Sequence, residues 1–311
     1  VSAPAAHLAQ LNISTLREPA DHPASQPFMD GIPVVNAAGE AMPGFVWRLQ
    51  DGEGEGATSI QLFDDPRTIV NLTVWESVDH LRAFAFSGIH RDFLRRRGEW
   101  FLPGTTRTAL WWLPAGVTPT VYDALRKLWL VDTFGSTPGA FQFNDTPPQL
   151  VVAATDLGDP VVGELIAELN DDLWQREPVE GLHHFGLTAD DIAPGNGAFL
   201  VAYLDDTPVG CGAYRLLGDG RAEVKRMYAR PAARGTRIGA TVLNDLIARA
   251  MADGATSMVL ETGRRTTPEA VRLYTRFGFA ECPPWGDYVA TAATSLCMAM
   301  PLPAVPGTPA R

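Results

Sequence analysis

Nowhere do the 311 residues contain a run of about 18 apolar positions, the length a helix needs to cross a bilayer, so no spanning helix is expected. The opening Val1-Ser2-Ala3-Pro4-Ala5-Ala6 lacks a basic stretch followed by an apolar one, which argues against a secretory leader and for a cytoplasmic protein. Cysteine is scarce. Cys211, Cys282 and Cys297 are scattered without metal spacing, which argues against a disulfide framework or a zinc site. Basic charge is in deficit, with 25 Lys and Arg against 36 Asp and Glu and a net charge of -11. Nucleic acid and anionic membrane are therefore disfavoured as partners, while basic small molecules and proteins stay open.

What is present is a globular composition, 46% hydrophobic and 20% charged, in a chain long enough for two domains. The polar, proline-bearing joint Asn144-Asp145-Thr146-Pro147-Pro148-Gln149 marks the boundary. It separates residues 1–147 from 148–303, and residues 304–311 read as a frayed, disordered tail.

The densest signal is Arg230-Pro231-Ala232-Ala233-Arg234-Gly235-Thr236-Arg237-Ile238-Gly239-Ala240, which reads as a strand end, a glycine-bearing turn and the first turn of a helix. Leading N–H groups of a helix have no intrahelical acceptor and carry partial positive charge, so such a turn can hold a pyrophosphate. Gly235 and Gly239 keep side chains away, and Arg230, Arg234 and Arg237 would add charge-assisted contacts. An ordinary helix start has the same composition. The flanks decide. Residues 150–154, 198–204, 209–216 and 222–229 read as strands, with a turn at 205–208. Residues 160–174, 241–252 and 268–276 read as helices, 257–261 as a strand, and Phe277-Gly278-Phe279 leads to a last pair of strands.

This order, together with Leu260-Glu261-Thr262-Gly263 and Glu269-Ala270-x-x-Leu273-Tyr274-x-x-Phe277-Gly278-Phe279, resembles the GNAT superfamily of N-acetyltransferases over roughly residues 150–303. One departure stands out: the family's loop usually carries glycine where this chain has Arg237. The resemblance implies an acyl-CoA N-acyltransferase fold with acetyl-CoA as co-substrate, no metal, and a small-molecule amine as acceptor, acetylated directly in a ternary complex. It implies that Met227, Tyr228, Arg234, Gly235, Thr236, Arg237, Ile238, Gly239, Ala240 and Tyr274 line the cofactor. It also implies Glu223 or Glu261 as general base, Tyr274 as general acid, and a backbone N–H near Met227 or Tyr228 on the carbonyl. Read from the residues alone, Glu223 is a solvated strand position or an ion-pair partner of Lys225 or Arg226, Glu261 a turn cap, and Tyr274 a packing residue.

Between the last two strands, relatives build the acceptor wall. Here Trp285 and Tyr288 offer faces for a cation and Asp287 a counter-charge, or the segment is simply a rigid exposed loop. Residues 183–192 would form a connector over the acceptor site, and His183-His184 read as solvated loop histidines.

The first domain reads as strands at 7–14, 45–50, 68–75 and 107–113, with a short one at 59–63, and helices at 27–38, 78–101 and 120–134. Asp51-Gly52-Glu53-Gly54-Glu55-Gly56 reads as a surface hairpin. The interleaving suggests an α+β sandwich. It resembles the dimeric α/β-barrel group of ferredoxin-like domains, and specifically a bacterial family of unknown function, which implies a homodimer through this domain. Six of the eight tryptophans fall here: Trp47, Trp75, Trp100, Trp111, Trp112 and Trp129. Core and interface are their default uses. A ligand pocket rimmed by His90, Arg91 and Arg95, able to hold a carboxylate, is the sharper alternative, and a solvated helix face the preferred reading of those three. Two function classes follow: an acetyltransferase, or an acyl-CoA-binding module with the main activity or ligand sensing in the first domain.

Overall fold

The computed structural model describes residues 2–50, 60–145, 147–176 and 186–304. The hairpin expected at 51–56, the pair His183-His184 and the tail from residue 305 lie outside the described residues. Contacts divide the chain into two compact units, Ala5–Pro147 and Pro148–Ala304, with residues 2–4 clustering with the latter.

In the first unit, β1 (Ala6–Thr15) is followed by α1 (Gln26–Met29) and α2 (Ile32–Glu40), then β2 (Phe45–Arg48) and β3 (Thr68–Trp75). After these come α3 (Val78–Ala85), α4 (Gly88–Trp100), β4 (Arg107–Pro114) and α5 (Val121–Phe134). The sheet is antiparallel throughout, in the order β2-β3-β1-β4. With helices after β1 and after β3, that is the β-α-β-β-α-β arrangement of ferredoxin-like units.

Two single helices expected from the sequence are each two. Pro33 lies in the first turn of α2, where a missing N–H costs nothing, but it has no N–H to carry the α1 ladder forward, so the chain restarts there. The second break falls at Ser87, whose extended backbone (φ -116°, ψ 162°) separates α3 from α4. No strand forms at residues 60–63. The start of α5 is fixed by a capping box in which the Thr120 hydroxyl and the Asp123 carboxylate each accept from the other's backbone N–H.

One end of the sheet's helix-covered face is apolar. There Leu8, Trp75, Leu81, Leu110 and Phe141 form a core, with Phe45, Phe84 and Trp112 packed against it.

In the second unit, β5 (Leu150–Ala154) leads into α6 (Pro160–Arg176), then β6 (Gly197–Leu204), β7 (Thr207–Leu216) and β8 (Arg221–Ala229). The chain continues through α7 (Ile238–Ala252), β9 (Ser257–Gly263), α8 (Pro268–Phe277), β10 (Ala280–Glu281) and β11 (Ser295–Pro301). Seven strands lie in the order β10-β11-β9-β8-β7-β6-β5. Only β8 and β9 run parallel. A parallel pair needs a crossover, and α7 supplies it. Its side chains are buried on nearly every face, from Ile238 to Met251. The hairpin between β6 and β7 turns on Asp205 and Asp206 alone, both with positive φ (44° and 69°), so Thr207 and Pro208, expected in the turn, begin β7 instead.

Candidate active site

The site originates in a mismatch between two strands. Along β7 and β8 the register shifts between Cys211 and Ala213, which face Tyr228 and Lys225, so Arg226 and Met227 together oppose the single residue Gly212. The bulge sets Arg226 at φ 56°. The Met227 sulfur lies within 2.6 Å, and a Val242 methyl within 2.8 Å, of the point where a Cβ on residue 212 would sit, so a larger residue there would require those side chains to shift. On the other side of β8, pairing with β9 ends at Val224 and Leu260, although β8 runs on to Ala229 and β9 to Gly263. The two strands therefore part, leaving an unpaired edge around Met227.

A cavity of about 180 Å³ opens in that parting. From β8 it is lined by Lys225, Arg226 and Met227, and from β9 by Glu261. Tyr274 of α8 and Tyr288 complete its wall. Tyr274 is only 5% exposed. Burial, reinforced by the charge of Glu261, pushes its phenol well above the ordinary value, so it holds its proton at neutral pH.

Beyond β8 the chain makes a short 3-10 turn at Pro231–Ala233 and reaches α7 through Arg234-Gly235-Thr236-Arg237. Gly235 has φ 87°, a conformation that favours glycine, and open space over its Cα. Arg237 is the N-cap at φ 70° and ψ 14°, with no side-chain capping bond, and the first helical bond runs from Thr241 N–H to the Arg237 carbonyl. The N–H groups of Ile238, Gly239 and Ala240 precede that ladder and have no acceptor within the helix. Two arginines expected on phosphate are turned elsewhere. Arg230 pairs with Glu164 and with Glu168 (2.8 Å), and Arg234 with Asp172 (3.1 Å), tying the loop to α6. The Thr236 hydroxyl donates to the Ala233 carbonyl at 2.6 Å.

The two glutamates differ sharply. Glu261 is half-buried and lines the cavity. Glu223 is 0% exposed and lies behind the wall: Tyr288 donates to its Oε1 at 2.6 Å, Arg215 Nε to its Oε2 at 2.7 Å, and Lys225 Nζ lies 3.6 Å away. It is an ion-pair partner of Lys225, not a solvated strand position. Arg215 also reaches Asp191 at 3.3 Å, in the 3-10 turn Asp190–Ile192. Burial opposes it, but hydrogen bonds from Thr188 and the charge of Arg215 keep the Asp191 carboxyl below its usual range. Lys225 Nζ donates to Tyr288 Oη at 3.1 Å and sits 5.7 Å from that ring's centre. Burial, against the pull of Glu223, lowers the Lys225 ammonium.

Of the acceptor-wall residues, only Tyr288 lines the cavity. Trp285 meets Tyr288 edge-on at 5.3 Å and carries Arg221 over its ring at 5.8 Å, while Asp287 is exposed, and both lie outside the lining. Sequence reading missed Lys225 and Arg226 as cavity residues, Arg215 as a partner of Glu223 and Asp191 as a partner of Arg215. Glu223 and Lys225, two apart on one strand face, were the available signal for the buried pair; the bulge that turns Arg226 inward left none. Among the described residues, no group of three or more His, Cys, Asp or Glu is placed to hold a metal ion. Among the described residues, no helix is long and apolar enough to cross a membrane.

A family model described as the acetyltransferase (GNAT) family matches residues 137–279, the stretch that holds the parted strands and the loop. A relative 37% identical is covered over 91% of its own length. The chain therefore belongs to the GNAT acetyltransferase family. It is an acyltransferase by that membership, fused to an N-terminal unit, residues 7–155, that matches a domain of unknown function, DUF3291. An IAA acetyltransferase of Azospirillum brasilense is 37% identical over 143 residues, 46% of this chain and 91% of that protein. The uncharacterized N-acetyltransferase YsnE of Bacillus subtilis is 31% identical over 134 residues, covering 43% and 87% respectively. A GNAT acetyltransferase from Elizabethkingia anophelis, solved with acetyl-CoA bound, is 18% identical, covers 49% of this chain and 98% of its own, and has a TM-score of 0.37.

Proposed function

We propose that the second unit transfers the acetyl group of acetyl-CoA directly to the amine of a small molecule. The observation that carries this is the parting of β8 and β9 beyond Val224 and Leu260, with Glu261 and Tyr274 lining the gap it leaves. An unpaired strand edge there can take an amide-bearing arm as an added strand, and the uncapped start of α7 suits a diphosphate.

In this reading the N–H groups of Ile238, Gly239 and Ala240 hold the diphosphate, and the edge near Met227 and Tyr228 polarises the thioester carbonyl. Glu261 takes the proton the ammonium must shed, the carbon–nitrogen bond forms as the carbon–sulfur bond breaks, Tyr274 gives its phenolic proton to the departing sulfur, and the second proton shed by the nitrogen as the amide forms restores the Tyr274 phenol. The two groups are coupled. The charge of Glu261 raises the Tyr274 phenol, so a proton taken up by Glu261 removes that opposition when Tyr274 must act. Glu223 is a positioning residue, holding Tyr288 and Lys225 in the wall.

The lining also bears on the acceptor. Beside the one carboxylate of Glu261 it contains Lys225, already paired with Glu223 behind the wall, and the guanidinium of Arg226, which favours an amine that also carries an acidic group over a polyamine. Thiol release from acetyl-CoA with paired amines, each with and without a carboxylate, tests both parts. Turnover is expected, and faster with the carboxylate-bearing member of each pair. No thiol release with any amine would overturn the activity, and faster turnover of polyamines would overturn the acceptor class.

A further inference from the structure

The first unit holds a second cavity, also of about 180 Å³, between the sheet and helices α1, α2 and α4. Its floor is unusual for a sheet face beneath helices, which ordinarily supplies core. Along that face the register pairs Leu8 with Trp75 at the apolar end, then Gln10 with Thr73, and then Asn12 with Asn71. The same face thus turns from aromatic core to amide and hydroxyl groups within four residues of β1. Asn12 Oδ1 accepts from Thr108 at 3.4 Å, and Ser14 bonds Thr106 at 2.8 Å.

Opposite this polar floor stands an aromatic wall. Phe28 lies 5.6 Å from Trp100 and 4.9 Å from Phe101, centre to centre, and Phe93 lies 5.3 Å from Trp100. The charges lining the cavity are of one sign. Arg48, its Nε held by Glu40 at 2.6 Å, and Arg97 on the exposed rim both line it, and no described lining residue is a carboxylate. His90 adds no charge, since burial holds its imidazole below the ordinary range, and its Nδ1 donates to the Ala85 carbonyl at 2.9 Å.

We propose that this cavity binds a small carboxylate with a single-ring body, the ring against Phe28, Phe93 and Trp100 and the carboxylate toward Arg97, Arg48 and the Asn12–Asn71 floor. The size fits: a cavity of roughly 150 Å³ admits benzene, and the remainder here accommodates a carboxylate. An apolar pocket with a few convergent polar groups is the usual form of a small-molecule site. The proposal is independent of acetyl transfer, since no residue of this cavity belongs to the second unit.

The test titrates the full chain with sodium benzoate, benzyl alcohol and benzylamine, following tryptophan fluorescence and heat. Benzoate is expected to saturate and to bind at least tenfold more tightly than benzyl alcohol, with benzylamine undetectable. Arg97→Gln, a change at an exposed position, is expected to weaken benzoate at least fivefold and leave benzyl alcohol within twofold. Leu94→Trp, which fills the cavity, is expected to abolish both. Absence of saturation by benzoate, equal affinity for the alcohol, or benzoate binding untouched by both variants would overturn the proposal.

Discussion

Tyr288 donates its phenolic hydrogen bond to the fully buried carboxylate of Glu223 at 2.6 Å. That bond, with Arg215 on the other carboxylate oxygen and Lys225 nearby, makes Glu223 the centre of a buried ionic cluster behind the cavity wall. A buried pair broken from one side leaves uncompensated charge, which costs more than the pair contributes.

Glu223→Ala is therefore expected to destabilise the second unit by about 3–5 kcal/mol, read as a shift of the urea midpoint. Glu261→Gln, at a half-buried position lining the cavity, is expected to leave that midpoint nearly unchanged and to lower kcat. Equal loss of stability in the two variants would remove the distinction between a supporting and a reacting glutamate.

Arg237 sits at φ 70° as the N-cap of α7, where the family's loop usually has glycine. Left-handed backbone costs a side-chain-bearing residue roughly 1–2 kcal/mol, and glycine gives back about 0.5–1 kcal/mol through unfolded-chain entropy. Arg237→Gly is thus expected to raise stability by about 0.5–1 kcal/mol. Acetyl-CoA affinity should hold, because the backbone N–H is retained. A loss of affinity above tenfold would mean the guanidinium itself grips phosphate.

The Tyr274 phenol is raised first by burial and then by the charge of Glu261. Removing that charge lowers the cost of forming phenolate. In Glu261→Gln, the Tyr274 contribution to the alkaline ultraviolet titration, isolated by subtraction of Tyr274→Phe, is expected to move to lower pH. A move to higher pH, or none, would break the proposed coupling.

Much of this architecture was legible in the chain. Strand β3, with its Val, Trp and Thr alternation, and the second unit's succession of strands and helices follow hydrophobic period and turn chemistry, and the structure has them nearly where residue patterns put them. What escaped was long-range. The α4 residues that line the first unit's cavity, His90, Phe93, Leu94 and Arg97, follow the three-and-four spacing of one helix face; of the rim the sequence offered as an alternative, His90 lines the cavity, while Arg91 and Arg95 are exposed, as the solvated-face reading has them. Composition drew attention to the basic run, and only the packed sheet shows which face turns inward. Likewise, the pairing of Arg230 and Arg234 with α6 acids more than 60 residues away leaves no local trace. The loop's motif suggested phosphate for every arginine in it, whereas salt bridges to α6 claim two of the three.

The central claim is that Tyr274, within the gap between β8 and β9, acts on the departing sulfur without holding the cofactor. Tyr274→Phe, assayed for thiol release alongside calorimetric titration with acetyl-CoA, tests it most directly. The expected result is a kcat lower by about 10²-fold or more, with the dissociation constant within twofold of the unaltered protein. Unchanged kcat, or no heat of binding in the unaltered protein, would contradict it.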